Sequence, residues 1–163
     1  MKNYTNEQVR RQDRLLDENL ADELVRKGEY GVLSMVTPEG EGYGIPVNYV
    51  WDENLNALYI HCAPQGRKLT CLAHQPLVTF TIIGRTGVVP SKFTTNYESV
   101  VLACTAHTGL PAEERMKALE LILDKYAPDD KTVGLKYTQK SFHRTEIIRL
   151  DIRSASGKCK VVR

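Results

Sequence analysis

Two runs of alternating apolar residues, 31–37 and 43–51, are joined by Pro38-Glu-Gly-Glu-Gly42. A parallel crossover needs a dozen or more residues, so a link this short forces the runs to pair antiparallel as a hairpin. The same logic recurs along the chain. Asp52-Glu-Asn-Leu-Asn56 turns into a run at 59–62, a short helix leads to a strand at 78–84, and a polar loop at 85–95 precedes a long strand at 97–107. In a last strand Ile148, Leu150 and Ile152 alternate with Arg149 and Asp151, and Gly157-Lys158 then reads as a short tail. Links of this kind predict a mainly β, α+β domain, an antiparallel barrel or curled sheet of six strands with two to three flanking helices. Pro46 donates nothing to a ladder and marks an edge or a bulge. The strand at 97–107 is apolar on both faces and belongs at the centre of the sheet or in an interface.

The helices are legible from their ends. Asp17 caps a helix in which Leu16, Leu20 and Leu24 recur every four residues, and Gly28 stops it. Pro111, Glu113 and Glu114 open a second with Met116, Leu119, Leu123 and Tyr126 along one side, ended by Pro128. Residues 1–14 are polar, carry Arg10, Arg11 and Arg14, and offer little to bury, so they read as an arm on a single domain of residues 1–163. An apolar fraction of 42% supports one core at this length. A net charge of +2, with Lys and Arg spread along the chain, argues against a dedicated nucleic-acid surface. No apolar run is long enough to cross a bilayer and the first residues lack a signal-peptide core, so a cytoplasmic protein is expected. Cys62, Cys71, Cys104 and Cys159 form no C-x-x-C pair and read as reduced, packed thiols.

Chemistry concentrates in Tyr59-Ile-His-Cys-Ala-Pro-Gln-Gly-Arg-Lys68. Leu58, Ile60 and Cys62 form one face of its strand, which leaves Tyr59 and His61 on the other. Pro64 stops the strand and Gly66 permits close backbone geometry where Arg67 and Lys68 open a helix. Free amides, the positive end of the helix dipole and two cations would meet at one point suited to a phosphate. The plainer reading makes Arg67 and Lys68 a solvated helix face and His61 a core histidine with both nitrogens satisfied. A metal site from His61, Cys62, Cys71 and His74 is disfavoured, because His61 and Cys62 leave opposite faces of a strand. Haem is a further alternative, with nothing to select His107 or His143 as an axial ligand.

Taken in order, the leading helix, Tyr30-Gly-Val-Leu33, Ile45-Pro-Val-Asn-Tyr-Val50, Tyr59-Ile-His-Cys-Ala63, Gly66-Arg-Lys68, Phe93-Thr-Thr-Asn-Tyr-Glu-Ser-Val100 and Gly157-Lys158 resemble the pyridoxamine 5'-phosphate oxidase-like proteins, most closely the nitroimidazole-resistance branch. The resemblance implies a split barrel that binds flavin mononucleotide (FMN) at a homodimer interface, with each site built from both chains. It implies that Gly66, Arg67 and Lys68 hold the flavin phosphate, and that Asn48, Tyr49, Val50, His61, Cys62 and Ala63 line the ring and ribityl chain. Thr95 and Ser99, in the segment from Thr94, would approach the site from the partner. His61 matches the histidine associated with reduction of a nitro group, and is the expected catalytic residue. A non-catalytic flavin- or haem-binding protein, or a pyridoxamine phosphate oxidase itself, are the alternatives. The arginine and histidine pattern that the latter uses for its substrate is not recognisable in residues 154–163.

Overall fold

A computed structural model describes residues 1–162. Seven strands form a single sheet: β1 (Tyr30–Val36), β2 (Gly42–Asn48), β3 (Val50–Asp52), β4 (Ala57–Cys62), β5 (Leu77–Val89), β6 (Thr94–His107) and β7 (Glu146–Lys160). Their order is β2-β1-β5-β6-β7-β4-β3, and every pairing between them is antiparallel. The strands β2 and β3 stand at opposite ends of this order, yet only Tyr49 separates them in the chain. The sheet must therefore curl until its two edges meet, giving a barrel split at Tyr49. That seam accounts for a seventh strand where six were expected, since the run at 43–51 is broken in two. Pro46 lies in β2, which pairs with β1 alone, so the proline removes no ladder bond from a second neighbour.

The barrel interior is filled by Leu33, Leu58, Ile60, Phe80, Ile82, Val100, Leu102, Ile148 and Leu150, all fully buried. One mouth is closed by α1 (Glu18–Lys27), whose Ala21 and Val25 are buried. Its start is capped by Asp17, whose carboxylate accepts from the Asn19 amide at 2.9 Å. The Tyr49 ring meets Phe80 edge-on at 5.0 Å and its hydroxyl donates to the Val25 carbonyl at 2.6 Å. On the outside, α3 (Ala112–Tyr126) and α4 (Lys131–Ser141) cover β3 and β4, and a second core of Val50, Tyr59, Ala118, Leu119 and Ile147 forms beneath them. All four cysteines are free thiols, and burial pushes that of Cys104 up to about 12. Among the described residues no helix is long and apolar enough to cross a membrane.

Four expectations are corrected. The segment 85–95 is no open loop: β5 continues to Val89, Pro90–Lys92 makes one 3₁₀ turn, and β6 starts at Thr94. Gly157-Lys158 is no tail, because β7 runs through it to Lys160, paired with β6. The polar arm is docked. Tyr4 bridges Ala155, its hydroxyl donates to the Leu16 carbonyl at 2.5 Å, and the Gly157 amide donates to Asn6 Oδ1 at 3.0 Å. β4 pairs with β7 only as far as Asp151, and the arm covers the edge of β7 beyond it. Finally, α4 raises the number of α-helices to four.

Candidate functional site

Between the end of β4 and the start of α2 (Arg67–His74), Ala63, Pro64, Gln65 and Gly66 form an exposed turn. Gly66 is the N-cap, with φ 145° and ψ 166°. This region of backbone space is open essentially to glycine alone, so the residue is required by conformation. A Cβ at Gly66 would meet no atom within 4 Å, which leaves open space above the turn. No side chain caps α2 and no acidic residue stands in its first turn. The first amide to close on a carbonyl is that of Thr70, on Gly66 at 3.3 Å. The preceding N–H groups therefore point outward at the positive end of the helix, beside two cationic side chains.

These two cations are placed differently. The Arg67 guanidinium lies 4.4 Å from the centre of the Tyr43 ring on β2, a cation–π contact that turns it away along the barrel. Lys68 stands close enough to His61 and Cys62 for its charge to act on both. Burial and then the Lys68 ammonium hold the His61 imidazole below its ordinary value near 6.5. Its outer edge is exposed although packed protein surrounds the rest, and at neutral pH the ring is uncharged, with one donor and one acceptor nitrogen. On the opposite face of β4, Cys62 packs against the barrel core.

The face of β4 that carries Tyr59 and His61 is roofed by α3 and α4. Leu119, Ile122 and Leu123 of α3 form one wall of a pocket of about 170 Å³ beside His61, and Thr138, Ser141 and Thr145 form the other. Sequence reasoning missed this second wall, because α4 has almost no apolar periodicity. Its signal was a stripe of small residues, Gly134, Thr138 and Ser141, spaced four and three apart. A Cβ on Gly134 would meet Leu123 Cδ2 at 2.6 Å, so the glycine lets α3 and α4 approach.

The remaining predicted residues divide into near and far. Val50 is buried against α3 and pairs with Tyr59. Asn48 spends its amide on the Glu29 carbonyl at 2.9 Å. The Tyr49 side chain is in the core, its N–H donates to the Tyr126 hydroxyl at 3.0 Å, and its carbonyl accepts from Lys125 Nζ at 2.9 Å. Both backbone groups at the seam are thus engaged within the chain. Thr95 and Ser99 are distant. Cys62 lies opposite Glu146, whereas Ser99 lies opposite Lys158, a dozen residues further along β7. At ~3.3 Å per residue that is about 40 Å along the strand.

A family model described as pyridoxamine 5'-phosphate oxidase matches residues 17–159, from the cap of α1 to the last residue but one of β7. The chain belongs to the pyridoxamine 5'-phosphate oxidase family. Only the arm and the last few residues lie outside that match. Among solved structures with this family's barrel is a candidate 5-nitroimidazole antibiotic resistance protein from Bacteroides thetaiotaomicron, 18% identical over 90% of this chain and 86% of that one, TM-score 0.72. Another is the flavocytochrome Anf3 from Azotobacter vinelandii, 18% identical over 90% and 68%, TM-score 0.72. A third is an FAD-binding protein from Mesorhizobium loti, 21% identical over 91% and 98%, TM-score 0.61. Identities this low speak to the fold alone. No curated protein matches the chain.

Proposed function

We propose that the chain is an FMN-dependent oxidoreductase that reduces small nitroaromatic compounds of the 5-nitroimidazole kind, acting as a cytoplasmic homodimer. The observation that carries this reading is the turn before α2. An uncapped helix N-terminus, a glycine-only backbone and open space above it make a fit for one terminal phosphate, with Lys68 as counter-charge. A single phosphate seat favours FMN over a dinucleotide. Family membership supports a flavin, as do the FAD-binding protein and the flavocytochrome among the similar structures. The candidate resistance protein supports a nitroimidazole as acceptor.

Bound flavin supplies the electrons. The chain's own groups supply position and protons. Lys68 and the backbone at Gly66 anchor the phosphate, with Arg67, stacked on Tyr43, adding its charge from further off, and the strand ends at Asn48, Val50, Cys62 and Ala63 border the rest of the cofactor. At neutral pH the uncharged His61 ring can hydrogen-bond an oxygen of the acceptor through its N–H, and it passes that proton on only as its other nitrogen takes one up from water at the exposed edge. Thr95 and Ser99 are too far from the Gly66 turn to serve the same chain's site, so they are assigned to the site of the partner. Haem has less support: His107, a possible axial ligand, is held by Asp151 at 3.0 Å.

The test is the absorbance spectrum of the purified protein, the mass of its released cofactor, and anaerobic turnover of a 5-nitroimidazole. Flavin bands, the mass of FMN and turnover lost in His61→Ala with flavin retained are expected. A Soret band overturns the reading. Flavin without nitroreduction would make the protein a carrier or sensor, and turnover persisting in His61→Ala would make His61 structural.

A further inference from the structure

We infer that the pocket between His61, α3 and α4 is a subsite for a single uncharged ring of five or six members that carries a hydrogen-bond donor on one edge. The inference rests on the oxidoreductase reading and adds to it the size, charge and orientation of the acceptor. Size comes first. The pocket holds about 170 Å³, close to the ~150 Å³ of an apolar cavity that accepts benzene and well below the roughly 300 Å³ where drug-sized pockets begin. One ring fills it; a fused pair would leave a ring in water.

Chemistry follows from the two walls. Leu119, Ile122 and Leu123 offer one face of aliphatic carbon, suited to the flat side of a ring. Opposite them, Ser141 Oγ donates to the Tyr137 carbonyl at 2.9 Å and Thr145 Oγ1 donates to the Ser141 carbonyl at 3.2 Å. Both hydroxyl protons are spent inside the chain, so what these oxygens have left for a ligand is lone pairs, which accept. Arg, Lys, Asp and Glu are absent from the lining. A charged ligand would lose its hydration there without a counter-charge. The contact between Gly134 and Leu123 fixes the width, because α4 can move no closer without displacing that side chain.

The experiment follows the methyl NMR signals of Ile122, Leu119 and Leu123 during titration with 4-nitroimidazole, a neutral ring with an N–H, and with 1-nitronaphthalene, a fused pair bearing the same nitro group. Saturable shifts with the first compound and binding about tenfold weaker for the second are expected. Ile122→Phe, which fills the pocket, should weaken 4-nitroimidazole by a similar ~tenfold factor. Equal affinity for the two compounds in the wild-type protein overturns the inference, whether or not the variant folds, and so does the absence of methyl shifts. If flavin binds and nitro compounds turn over while these methyls stay still, the subsite fails and the oxidoreductase reading stands. If the methyls respond in a protein that binds no flavin, the reading fails and the subsite stands.

Discussion

Arg67 and Lys68 are adjacent in sequence but meet different surroundings, and their substitutions should separate. A charge-assisted bond to phosphate contributes about 1.5 to 3 kcal/mol, so Lys68→Ala should weaken FMN binding roughly ten- to a hundredfold in a fluorescence titration. Arg67→Ala should cost less, since its guanidinium already stacks on Tyr43. Equal flavin retention in Lys68→Ala and wild type would sink the assignment. Lys125 carries a second prediction. Its Nζ donates to the Gly28 and Tyr49 carbonyls at 2.7 and 2.9 Å with no carboxylate beside it among the described residues, and burial lowers its pKa from 10.5 to about 8. Above pH ~8 the unfolded chain keeps this proton while the folded one releases it, so stability should rise with pH up to about 10, where exposed tyrosines start to titrate. Urea midpoints across that range should show the rise in wild type and lose it in Lys125→Met; a rise that survives the substitution belongs to another group.

At the level of elements, what the sequence made legible followed burial. The α1 helix, with its Asp17 cap and Gly28 stop, and the α3 helix lie within a residue of their expected bounds because their end signals are clear. The expected stripe of Leu16, Leu20 and Leu24 on α1 is corrected, since Leu20 is 54% exposed and Ala21 and Val25 are the helix residues buried. The exposed turn before α2 was visible for a different reason, since Pro64 and Gly66 are conformational signals that need no buried partner. The extended β5–β6 hairpin was not. It projects beyond the barrel, leaving Val88 and Phe93 73% and 98% exposed, so nothing imposes a buried face on its sequence. The far half of β7 was hidden by its small residues, which are small because the arm lies on them. A Cβ at Gly157 would collide with the Tyr4 hydroxyl and meet Leu16 Cβ at 2.9 Å. Gly157→Ala should therefore cost about 1–3 kcal/mol by urea unfolding. Part of that cost should vanish in a Tyr4→Phe background, and strict additivity of the two changes would show that the arm is not what Gly157 accommodates.

For the whole molecule, the proposal that Thr95 and Ser99 serve the partner's site, Ser99 lying opposite a residue a dozen places along β7 from the one opposite Cys62, implies that a complete site would draw on two chains. Mixing is the direct check. Unfolded Lys68→Ala and Ser99→Trp chains, refolded together, should regain about a quarter of the wild-type flavin sites, because half of a random mixture pairs unlike chains and each such pair has one intact site. Recovery no greater than from either variant alone would place both residues in one chain's site, or outside any. The strand order has a kinetic side as well. β4 pairs with a strand that starts more than eighty residues later, Ala57 lying opposite Asp151, so the hairpin it forms with β3 has no further sheet neighbour until most of the chain has collapsed. Contacts this far apart in sequence are slow to close. Folding should thus be limited by the late insertion of β7 between β6 and β4, an interval in which both strands present unpaired edges to chaperones and to other copies of the chain.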